Sequence, residues 1–543
     1  MAAVVRRQVG MTGGQGVLWV QRPIRTAFDY AELWLDRMFS QSWNPLHHLG
    51  ALGFFMYWIV AASGIYLYVF FDTGLTEAYA SVEYMTHDQW YLAGVMRSLH
   101  RYASDAMVLF MVIHMAREFA LDRYRGVRWF TWSTGVPIIV LLLACGITGY
   151  WLVWDRLAQF IAVRSTEWLD WLPIFGTPTA ANFLTPESLD DRFFSLMIFI
   201  HIAAPLILLL VLWIHLQRVS RPQINPPRGL AVGMFAMMIV LSLVKPAVSH
   251  GPADLSTVVS VVNLDWFYLG LYPLVDYWSA GTVWAALSLV LLIVFVMPWM
   301  PPMKRAPAVE VHLDHCNGCT RCVDDCPFGA VAMQPRTDGA KFHLEAVVNP
   351  DLCVSCGICV GSCPSSTPFR RRGAIETGID LPHFPLSQLR HATDEAAARL
   401  KGDARVLVFG CEHGPGPTQA EEAGAAFVRL PCIGMLPPPF IDYVLSRDLA
   451  DGVVLAGCAN SDCYNRFGVE WTDARVDRER DPRLRRRVPR ERLARLWAGR
   501  PEGDVLAAEV ERLAARLKTL EPKPASRVGA SSWPVLEPVG DDH

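Results

Sequence analysis

Six long apolar stretches, separated by short polar segments, occupy the first 300 residues of the chain. Each approaches the ~20 residues that an α-helix needs to cross the hydrocarbon of a bilayer. The alternative is a bundle of helices buried inside a soluble protein, but the amino-acid composition of soluble proteins rarely includes six such runs. We therefore predict six transmembrane helices. The stretches are Leu46–Phe71, Tyr91–Ala120, Trp129–Trp154, Phe193–Leu216, Gly229–Val248 and Trp278–Met300.

The distribution of positive charge between the stretches indicates their orientation. Lys and Arg accumulate in cytoplasmic loops, and segments 72–88 and 248–276 contain neither residue. Both termini are therefore predicted to be cytoplasmic. No cleavable signal peptide is evident in the first 30 residues. The cytoplasmic side is marked by Arg123, Arg125, Arg218, Arg221, Arg228, Lys304 and Arg305.

Composition changes after the last apolar stretch. The remainder is charged and rich first in Cys and then in Arg, so the net charge of −3 averages two unlike halves and says nothing about nucleic acid. No nucleic-acid partner is expected. Of the 13 cysteines only Cys145 lies in the apolar part. The others are spaced like metal ligands, which indicates a reducing compartment. A chain of 543 residues is also too long for a single domain.

Histidines recur at one interval on two of the apolar stretches. His100 and His114 lie 14 positions apart on the second, and His201 and His215 repeat the interval on the fourth. In an α-helix, 14 positions return to within about 40° and climb about 21 Å, so each helix offers two imidazoles on one face. Two facing helices would form two bis-histidine sites suited to an iron porphyrin. A lone membrane histidine can instead hydrogen-bond a neighbouring helix.

Glycines repeat the same interval on the first and third stretches. Gly50 and Gly64 form one pair, and Gly135 and Gly149 form the other. Glycine permits the close backbone approach that a porphyrin requires, although small residues also mediate plain helix packing in membranes. Two pairs in phase with the histidines favour the porphyrin interpretation.

The motifs around these histidines resemble cytochrome b of the quinol-oxidising bc-type complexes, including the form split into a four-helix subunit and a smaller one. The resemblance covers about residues 40–300. It rests on Arg97-Ser98-Leu99-His100, His114 followed by Arg117, Gly149-Tyr150 followed by Leu152 and Trp154, and His201 with Pro205.

This resemblance implies two haems b. It implies that Arg97 and Arg117 neutralise haem propionates, with ordinary snorkelling as the alternative for Arg117. The implied ligand pairs are His100 with His201 on the outer side, and His114 with His215 on the cytoplasmic side.

The likeness continues beyond the fourth stretch. Gly251-Pro252-Ala253-Asp254 and Leu264-Asp265-Trp266-Phe267 resemble the small-subunit segment that leads into a Pro-Glu-Trp-Tyr motif. That motif lines the family's outer quinol site. Here Leu, Asp and Phe replace Pro, Glu and Tyr. Asp265 is the candidate catalytic residue because a carboxylate could accept a quinol proton; alternatively it only caps or solvates a loop.

Eight cysteines then follow in two copies of one motif, Cys-x2-Cys-x2-Cys-x3-Cys-Pro. The motif matches the two-cluster bacterial ferredoxin pattern, in which the fourth thiolate of each copy serves the other [4Fe–4S] cluster. Zinc is the rival metal. The resemblance implies a first ferredoxin site formed by Cys316, Cys319, Cys322 and Cys363. It implies a second ferredoxin site formed by Cys326, Cys353, Cys356 and Cys359.

Short apolar strands alternate with expected helices from Arg405 onward, which predicts a small α/β domain. The strands are Val406–Phe409, Phe427–Leu430 and Val453–Ala456. Ligands gather at the carboxyl ends of strands in open α/β sheets. The four cysteines near these ends could therefore converge on a [2Fe–2S] cluster, with zinc or unliganded core cysteines as alternatives. This four-cysteine site comprises Cys411, Cys432, Cys458 and Cys463.

Residues 405–496 resemble the delta subunit of methyl-viologen-reducing hydrogenase, an adaptor that hands electrons to a heterodisulfide-reductase-like flavoprotein. The likeness rests on Gly410-Cys411, Pro431-Cys432, Gly457-Cys458 and Asp462-Cys463-Tyr464. Tyr464 and His413 depart from the family pattern, which has His and a second Cys at these points. Arginines crowd between Arg475 and Arg500 and form either a docking face or a solvated helix surface.

Together these parts predict a multidomain chain: an all-α transmembrane bundle of six spans, an α+β ferredoxin-like domain and a small α/β domain. The expected boundaries are 1–45 for a cytoplasmic segment, 46–228 for the di-haem bundle and 229–303 for two further spans with a quinone-site-like loop. The ferredoxin domain is expected at 304–380 and the delta-like domain at 400–500. Residues 501–543 are expected to form a helix, near Val505–Leu520, followed by a disordered tail.

The expected function is electron transfer between a cytoplasmic low-potential flavoprotein and the quinone pool, in the inner membrane of a bacterium or archaeon. The alternative is an adaptor without quinone chemistry that docks an extracytoplasmic cytochrome or Rieske protein. A membrane redox sensor ranks last, because no signalling domain is recognisable. Lipid and quinone are expected partners, and a homodimer stays open.

Overall fold

The computed structural model describes residues 15–520 apart from 174–183, 185–188, 218, 220, 260, 301–305 and 370–374. The chain divides into two compact units, Met1–Arg305 and Ala306–His543. The predicted disordered tail, Pro522–His543, lies outside the described residues.

The regular elements described in the first unit are helices. They are α1 Gln15–Phe39, α2 Leu49–Phe70, α3 Glu77–His87, α4 Val95–Ala120, α5 Trp129–Val153, α6 Arg156–Asp170, α7 Asp191–Leu216, α8 Arg228–Val244, α9 Trp266–Leu269, α10 Tyr272–Tyr277 and α11 Ala280–Val296.

Within the described residues, four helical segments are long and apolar enough to cross a membrane. They are Pro45–Phe70, Gly126–Val153, Asp191–Leu216 and Ala280–Trp299. The second predicted stretch forms the 26-residue α4, whose polarity comes from residues such as Arg97, Arg101 and Asp105. The fifth forms α8, which is apolar but only 17 residues long. A multi-pass helical unit is confirmed, and the count of six stays a prediction.

Two helix pairs form the centre of the first unit. Helix α2 packs along α4, and α5 packs along α7. Between the pairs, the Tyr57 hydroxyl of α2 donates to the Pro205 carbonyl of α7 at 3.1 Å. Buried side chains of all four helices share one core, including Leu52, Met107 and Leu208. The predicted histidine helices, α4 and α7, therefore each lie beside a predicted glycine helix.

The segment after α8 is tied to α6. Asp155 caps α6 by accepting from the Ala158 amide at 2.8 Å, and it also accepts from the His250 amide at 2.8 Å. Gln159 exchanges two hydrogen bonds of 2.8 Å with the backbone of Asp254. These contacts hold the loop that leads to Asp265 and α9.

The second unit begins with two antiparallel strand pairs and two short helices, an α+β arrangement like the one expected here. Helices α12 and α13 each carry the third cysteine of one motif, Cys322 and Cys359. The strand pairs are β1 Glu310–Val311 with β4 Ile379–Asp380, and β2 Val331–Pro335 with β3 Leu344–Val348. The helices are α12 Arg321–Asp325 and α13 Ile358–Ser362.

A four-stranded parallel sheet with helices on both faces follows, in the order β6-β5-β7-β8. Side chains alternate along β5: Leu407 and Phe409 face one core, whereas Val406 and Val408 face the other. The elements are α14 Leu386–Ala398, β5 Val406–Cys411, α15 Thr418–Glu422, β6 Ala426–Leu430, α16 Pro438–Ser446, β7 Gly452–Gly457, α17 Gly468–Val476, β8 Leu493–Trp497 and α18 Gly503–Thr519.

The three predicted strands are present, and the predicted helix near Val505–Leu520 corresponds to α18. Helix α14 and strand β8 were not predicted. Strand β8 lies in the Arg-rich region that we interpreted as a docking face or a helix surface. Several arginines there pair within the chain; for example, Arg485 and Arg487 both bind the buried carboxylate of Asp442. A solvated helix over this region is therefore wrong.

The ferredoxin part and the α/β sheet share one hydrophobic core. Val360 of α13 and Leu381 after β4 are fully buried in the same cluster as Phe409 of β5 and Leu430 of β6. The two predicted segments, 304–380 and 400–500, therefore pack as one body.

Candidate metal centres

Two of the four predicted histidines face each other between the two helix pairs. The rings of His100 on α4 and His201 on α7 have centroids 6.3 Å apart and planes inclined by 64°. Two metal–nitrogen bonds of about 2 Å, with roughly 1 Å from each nitrogen to its ring centre, require about 6 Å. A single metal ion therefore fits between these rings. His215 likewise lies within electrostatic range of His114, its predicted partner.

Each predicted glycine lies against one predicted histidine. A Cβ added to Gly64 would lie 2.9 Å from His100 Cε1, and one added to Gly149 would lie 2.9 Å from His201 Cε1. The other two contacts are looser, and each would be an ordinary van der Waals contact. They are Gly50 to His114 Cε1 at 3.6 Å and Gly135 to His215 Cε1 at 3.7 Å. The structure thus brings the eight residues together in four pairs.

Hydrogen bonds orient three of the imidazoles. Nδ1 of His100 bonds the Val60 carbonyl at 2.9 Å, and Nδ1 of His201 bonds the Cys145 carbonyl at 3.1 Å. His215 Nδ1 lies 3.0 Å from the Thr134 hydroxyl. A partner on Nδ1 fixes the tautomer that presents Nε2 to a metal.

Hydroxyl residues contribute to this orientation, and the sequence reading missed them. Ser63 and Thr148 each lie 3.2 Å from the Nδ1 of a histidine, as Thr134 does at 3.0 Å. All three immediately precede one of the predicted glycines. The repeated Ser/Thr-Gly pair was therefore a usable signal.

The two predicted propionate arginines contact acidic side chains. Arg97 donates to the Ser249 hydroxyl at 2.7 Å, bonds Thr86 and lies 3.8 Å from Glu83. The buried Arg117 donates through Nε to Glu32 of α1 at 2.6 Å. Arg117 is therefore tied to an N-terminal helix as well as lying one turn from His114.

Asp265 both caps a helix and belongs to a buried polar cluster. Its Oδ1 accepts a hydrogen bond from the Phe267 amide at 2.9 Å, and Asp265 thereby caps the N-terminus of α9. Its Oδ2 accepts from Arg101 Nη2 at 2.9 Å and from the Tyr150 hydroxyl. Arg101 also pairs with Asp105 at 3.3 Å. The predicted cap is present, and the same carboxylate is held by groups of α4 and α5.

Sequence reasoning missed Arg101, Asp105 and Tyr150. Arg101 and Asp105 stand four positions apart inside an apolar stretch, and ionisable residues at such positions are functional candidates by default. Tyr150 stacks under the Arg101 guanidinium at 4.7 Å.

The ferredoxin cysteines group as the family pattern implies. The Cys322 thiol interacts electrostatically with Cys316, Cys319 and Cys363, which completes the first ferredoxin site. The Cys359 thiol interacts with Cys326, Cys353 and Cys356, which completes the second, and also with Cys322. Burial raises the pKa of Cys322 to about 12 and raises that of Cys359 well above its usual range. Such thiols become thiolates at neutral pH when metal binds.

The four-cysteine site lies at the carboxyl edge of the parallel sheet. Cys411 ends β5, Cys458 follows the adjacent β7, and their sulfur atoms are 3.8 Å apart. Cys432 neighbours Cys411 and Cys463, and Cys463 neighbours Cys458. The predicted convergence of the four thiols is therefore present.

No group of three or more His, Cys, Asp or Glu side chains in the described parts of the chain converges closely enough to hold one metal ion. That finding concerns compact sites for a single ion. The fit of an iron–sulfur cluster rests instead on the chemistry of the donors, which are four cysteine thiols in each site.

The two departures from the delta-subunit pattern lie together. The rings of His413 and Tyr464 stack with centroids 3.6 Å apart and planes inclined by 14°. The His413 amide donates to Cys411 Sγ at 3.5 Å, and Arg500 Nη2 lies 2.8 Å from His413 Nδ1. This chain therefore places an aromatic pair beside the four-cysteine site.

Three protein-family profiles match successive parts of the chain. Residues 34–222 match cytochrome b/b6/petB, and residues 315–367 match the 4Fe-4S dicluster domain. Residues 418–521 match the delta subunit of methyl-viologen-reducing hydrogenase. The three resemblances are confirmed. The cytochrome b match ends before Asp265, and the delta-subunit match begins after Cys411.

A solved structure titled "Hyperthermophilic respiratory Complex III" contains a similar chain, with 19% identity and a TM-score of 0.40. The alignment covers 48% of this chain and 77% of that one. So weak a likeness carries no argument. The family matches and the apolar helices make this chain a multi-pass membrane protein with the domains of an electron-transfer subunit.

Proposed function

We propose that this chain is the membrane electron-transfer subunit of a quinone-linked respiratory oxidoreductase, exchanging electrons between a cytoplasmic low-potential partner and the quinone pool. The observation that carries the proposal is the opposed pair of imidazoles, His100 and His201, at 6.3 Å. That arrangement fits a bis-histidine metal centre inside an apolar bundle, and three cysteine sites accompany it in the same chain.

In this proposal the four histidines hold two haems b. His100 and His201 serve the outer haem, and His114 and His215 serve the cytoplasmic one. Gly50, Gly64, Gly135 and Gly149 would leave room for the porphyrins, and Arg97 and Arg117 would neutralise the propionates. Helices α4 and α8 complete six spans, since the 17 residues of α8 rise about 26 Å. Both termini then lie in the cytoplasm of a bacterium or archaeon.

The first and second ferredoxin sites would each hold a [4Fe–4S] cluster, and the four-cysteine site a [2Fe–2S] cluster. When bound, these groups supply one-electron chemistry. The protein contributes their spacing, burial and surrounding charge. The delta-subunit likeness supports a heterodisulfide-reductase-like flavoprotein as the soluble partner.

Asp265 is the proposed acceptor of a quinol proton. Its side chain is only 5% exposed, and Arg101 and Tyr150 hold its Oδ2 atom. The arginine and the tyrosine both donate to this atom and so fix the direction of the carboxylate. A buried carboxylate held in this way is oriented before substrate arrives, which is what general-base catalysis requires.

The test uses the purified full-length protein and the variant Asp265→Asn. Asp254→Asn is a matched control, because Asp254 also caps a turn, accepting from the Ser256 amide at 2.9 Å. We expect quinone to perturb the haem spectrum, and D265N to slow haem reduction by quinol at least tenfold while D254N does not. A wild-type spectrum and reoxidation rate that are insensitive to quinone would refute the quinone link. Loss of turnover only on removal of an outer-face protein would instead support the adaptor function.

A further inference from the structure

Arg475 is a buried cation at the junction between the ferredoxin part and the α/β sheet. Its side chain is 1% exposed and lies on α17. Nη2 pairs with the carboxylate of Asp325, which is itself only 2% exposed. Nη1 donates to the Gly434 carbonyl at 2.8 Å, and Nη2 also donates to the Ile358 carbonyl at 3.3 Å.

Every one of these acceptors lies beside a cysteine of a proposed cluster site. Asp325 immediately precedes Cys326, and Ile358 lies between Cys356 and Cys359. All three cysteines belong to the second ferredoxin site. Gly434 lies two residues after Cys432 of the four-cysteine site. One guanidinium therefore ties together the segments that carry ligands of two different sites.

The two sites are also neighbours through direct packing. Ile358, Cys432 and Trp471 share a small buried cluster, against which Cys356 packs. The backbones approach so closely that a Cβ added to Gly361 would lie 2.2 Å from the Gly434 carbonyl oxygen. The Trp471 indole donates to the Asp325 carbonyl at 3.3 Å, which adds a second link across the junction.

The charge of Arg475 adds to this geometric role. A guanidinium keeps its positive charge even when buried, and the Arg475 charge interacts with both Asp325 and Cys432. Thiolate-bound clusters become more negative on reduction. A buried positive charge nearby stabilises the reduced form and raises the reduction potential.

We propose that Arg475 is a positioning residue that holds the second ferredoxin site and the four-cysteine site at one fixed spacing, as a coupled pair of electron carriers. This inference rests on the proposed function, because it requires that both sites bind clusters. With clusters bound, a transfer between the two sites would oxidise one cluster by one electron and reduce the other by one. The guanidinium sets the separation and the relative potentials.

The test compares Arg475→Met and Arg475→Lys in the full-length protein with Arg487→Met as a control. Arg487 also binds a buried carboxylate, Asp442, but its own side chain is 58% exposed. The readouts are iron content, redox titration by electron paramagnetic resonance and magnetic coupling between the clusters. We expect R475M to lower both midpoint potentials and to weaken the coupling. R475K keeps the positive charge, so its midpoint potentials should change less than its magnetic coupling does. R487M should change neither quantity.

Asp325→Asn supplies the opposite perturbation, because it removes a negative charge from the same junction and should raise the potentials. If R475M does not assemble, R475K and D325N decide: unchanged potentials and coupling in both would overturn the proposal. Unchanged values in an R475M protein with full iron content would overturn it directly. Wild-type protein without bound iron would refute the proposed function instead, whereas insensitivity to quinone would leave this inference standing.

Discussion

Gly468 begins α17 beside the four-cysteine site, and replacing it with alanine tests the geometry there. A Cβ added to Gly468 would lie 2.3 Å from Cys432 Sγ and 3.5 Å from Cys463 Sγ. Non-bonded heavy atoms prefer about 3.5–4.0 Å, so the contact with Cys432 is too short by about 1.2 Å or more. Cys432 is 1% exposed, and Gly434 lies against the Gly468 backbone, so neither side has room to move.

We expect Gly468→Ala to destabilise the protein by about 1–3 kcal/mol, the usual cost of an overpacked core. Since 1.4 kcal/mol corresponds to about a factor of ten, the ratio of folded to unfolded protein should fall by about 5- to 150-fold. Displacement of the Cys432 sulfur should also reduce cluster assembly. The assays are thermal unfolding, iron and acid-labile sulfide per protein, and the paramagnetic signal of the reduced protein.

Gly416→Ala is the matched control, because it lies in the same sheet domain and an added Cβ there meets nothing within 4 Å. That variant should behave like the wild type in every assay. A G468A protein with wild-type stability, iron and spectrum would refute the placement of Cys432 against α17. Equal damage in both variants would show that the effect is not specific to the site.

Three further predictions follow from single contacts. Gly149→Ala should remove the absorbance of one haem from the spectrum of the reduced protein, because the added Cβ would lie 2.9 Å from His201 Cε1. A variant with full haem content would contradict this prediction. Thr134→Val removes a hydroxyl from an imidazole Nδ1 and should weaken haem retention about tenfold, checked as haem per protein after dilution. Asp442→Ala should lower the free energy of unfolding by about 1–2 kcal/mol, measured by thermal unfolding, because the carboxylate is buried but its partner Arg487 is half-exposed. An unchanged melting temperature would show that this ion pair does not stabilise the protein.

Regular spacing made much of the candidate sites predictable. The interval of 14 between the histidines and between the glycines depends only on helix geometry, and the structure pairs each glycine with a histidine. The cysteine motifs were similarly informative, because the ferredoxin pattern includes the exchanged fourth ligand. Strands β5 and β7 were predictable because both faces are buried, which gives continuous apolar runs.

Features that depend on tertiary contacts were not predictable. Strand β8 lies at the edge of its sheet and contains Arg495, so its sequence lacks the apolar run of a central strand. The contact between Arg101 and Asp265 joins residues 164 positions apart. The pairing of Arg475 with Asp325 spans 150 positions and crosses a boundary between two expected domains. Neither pairing has a local signal.

The common core of the ferredoxin part and the parallel sheet limits how this chain can be recombined. Val360 and Leu381 meet Phe409 and Leu430 in one buried cluster. An independent ferredoxin would instead have a polar, solvent-exposed surface at this place. A ferredoxin grafted from another protein would therefore leave apolar residues of the sheet exposed to water. Truncation or domain swapping in this chain should therefore succeed at the boundary between the two units, after Arg305, and fail within residues 306–520.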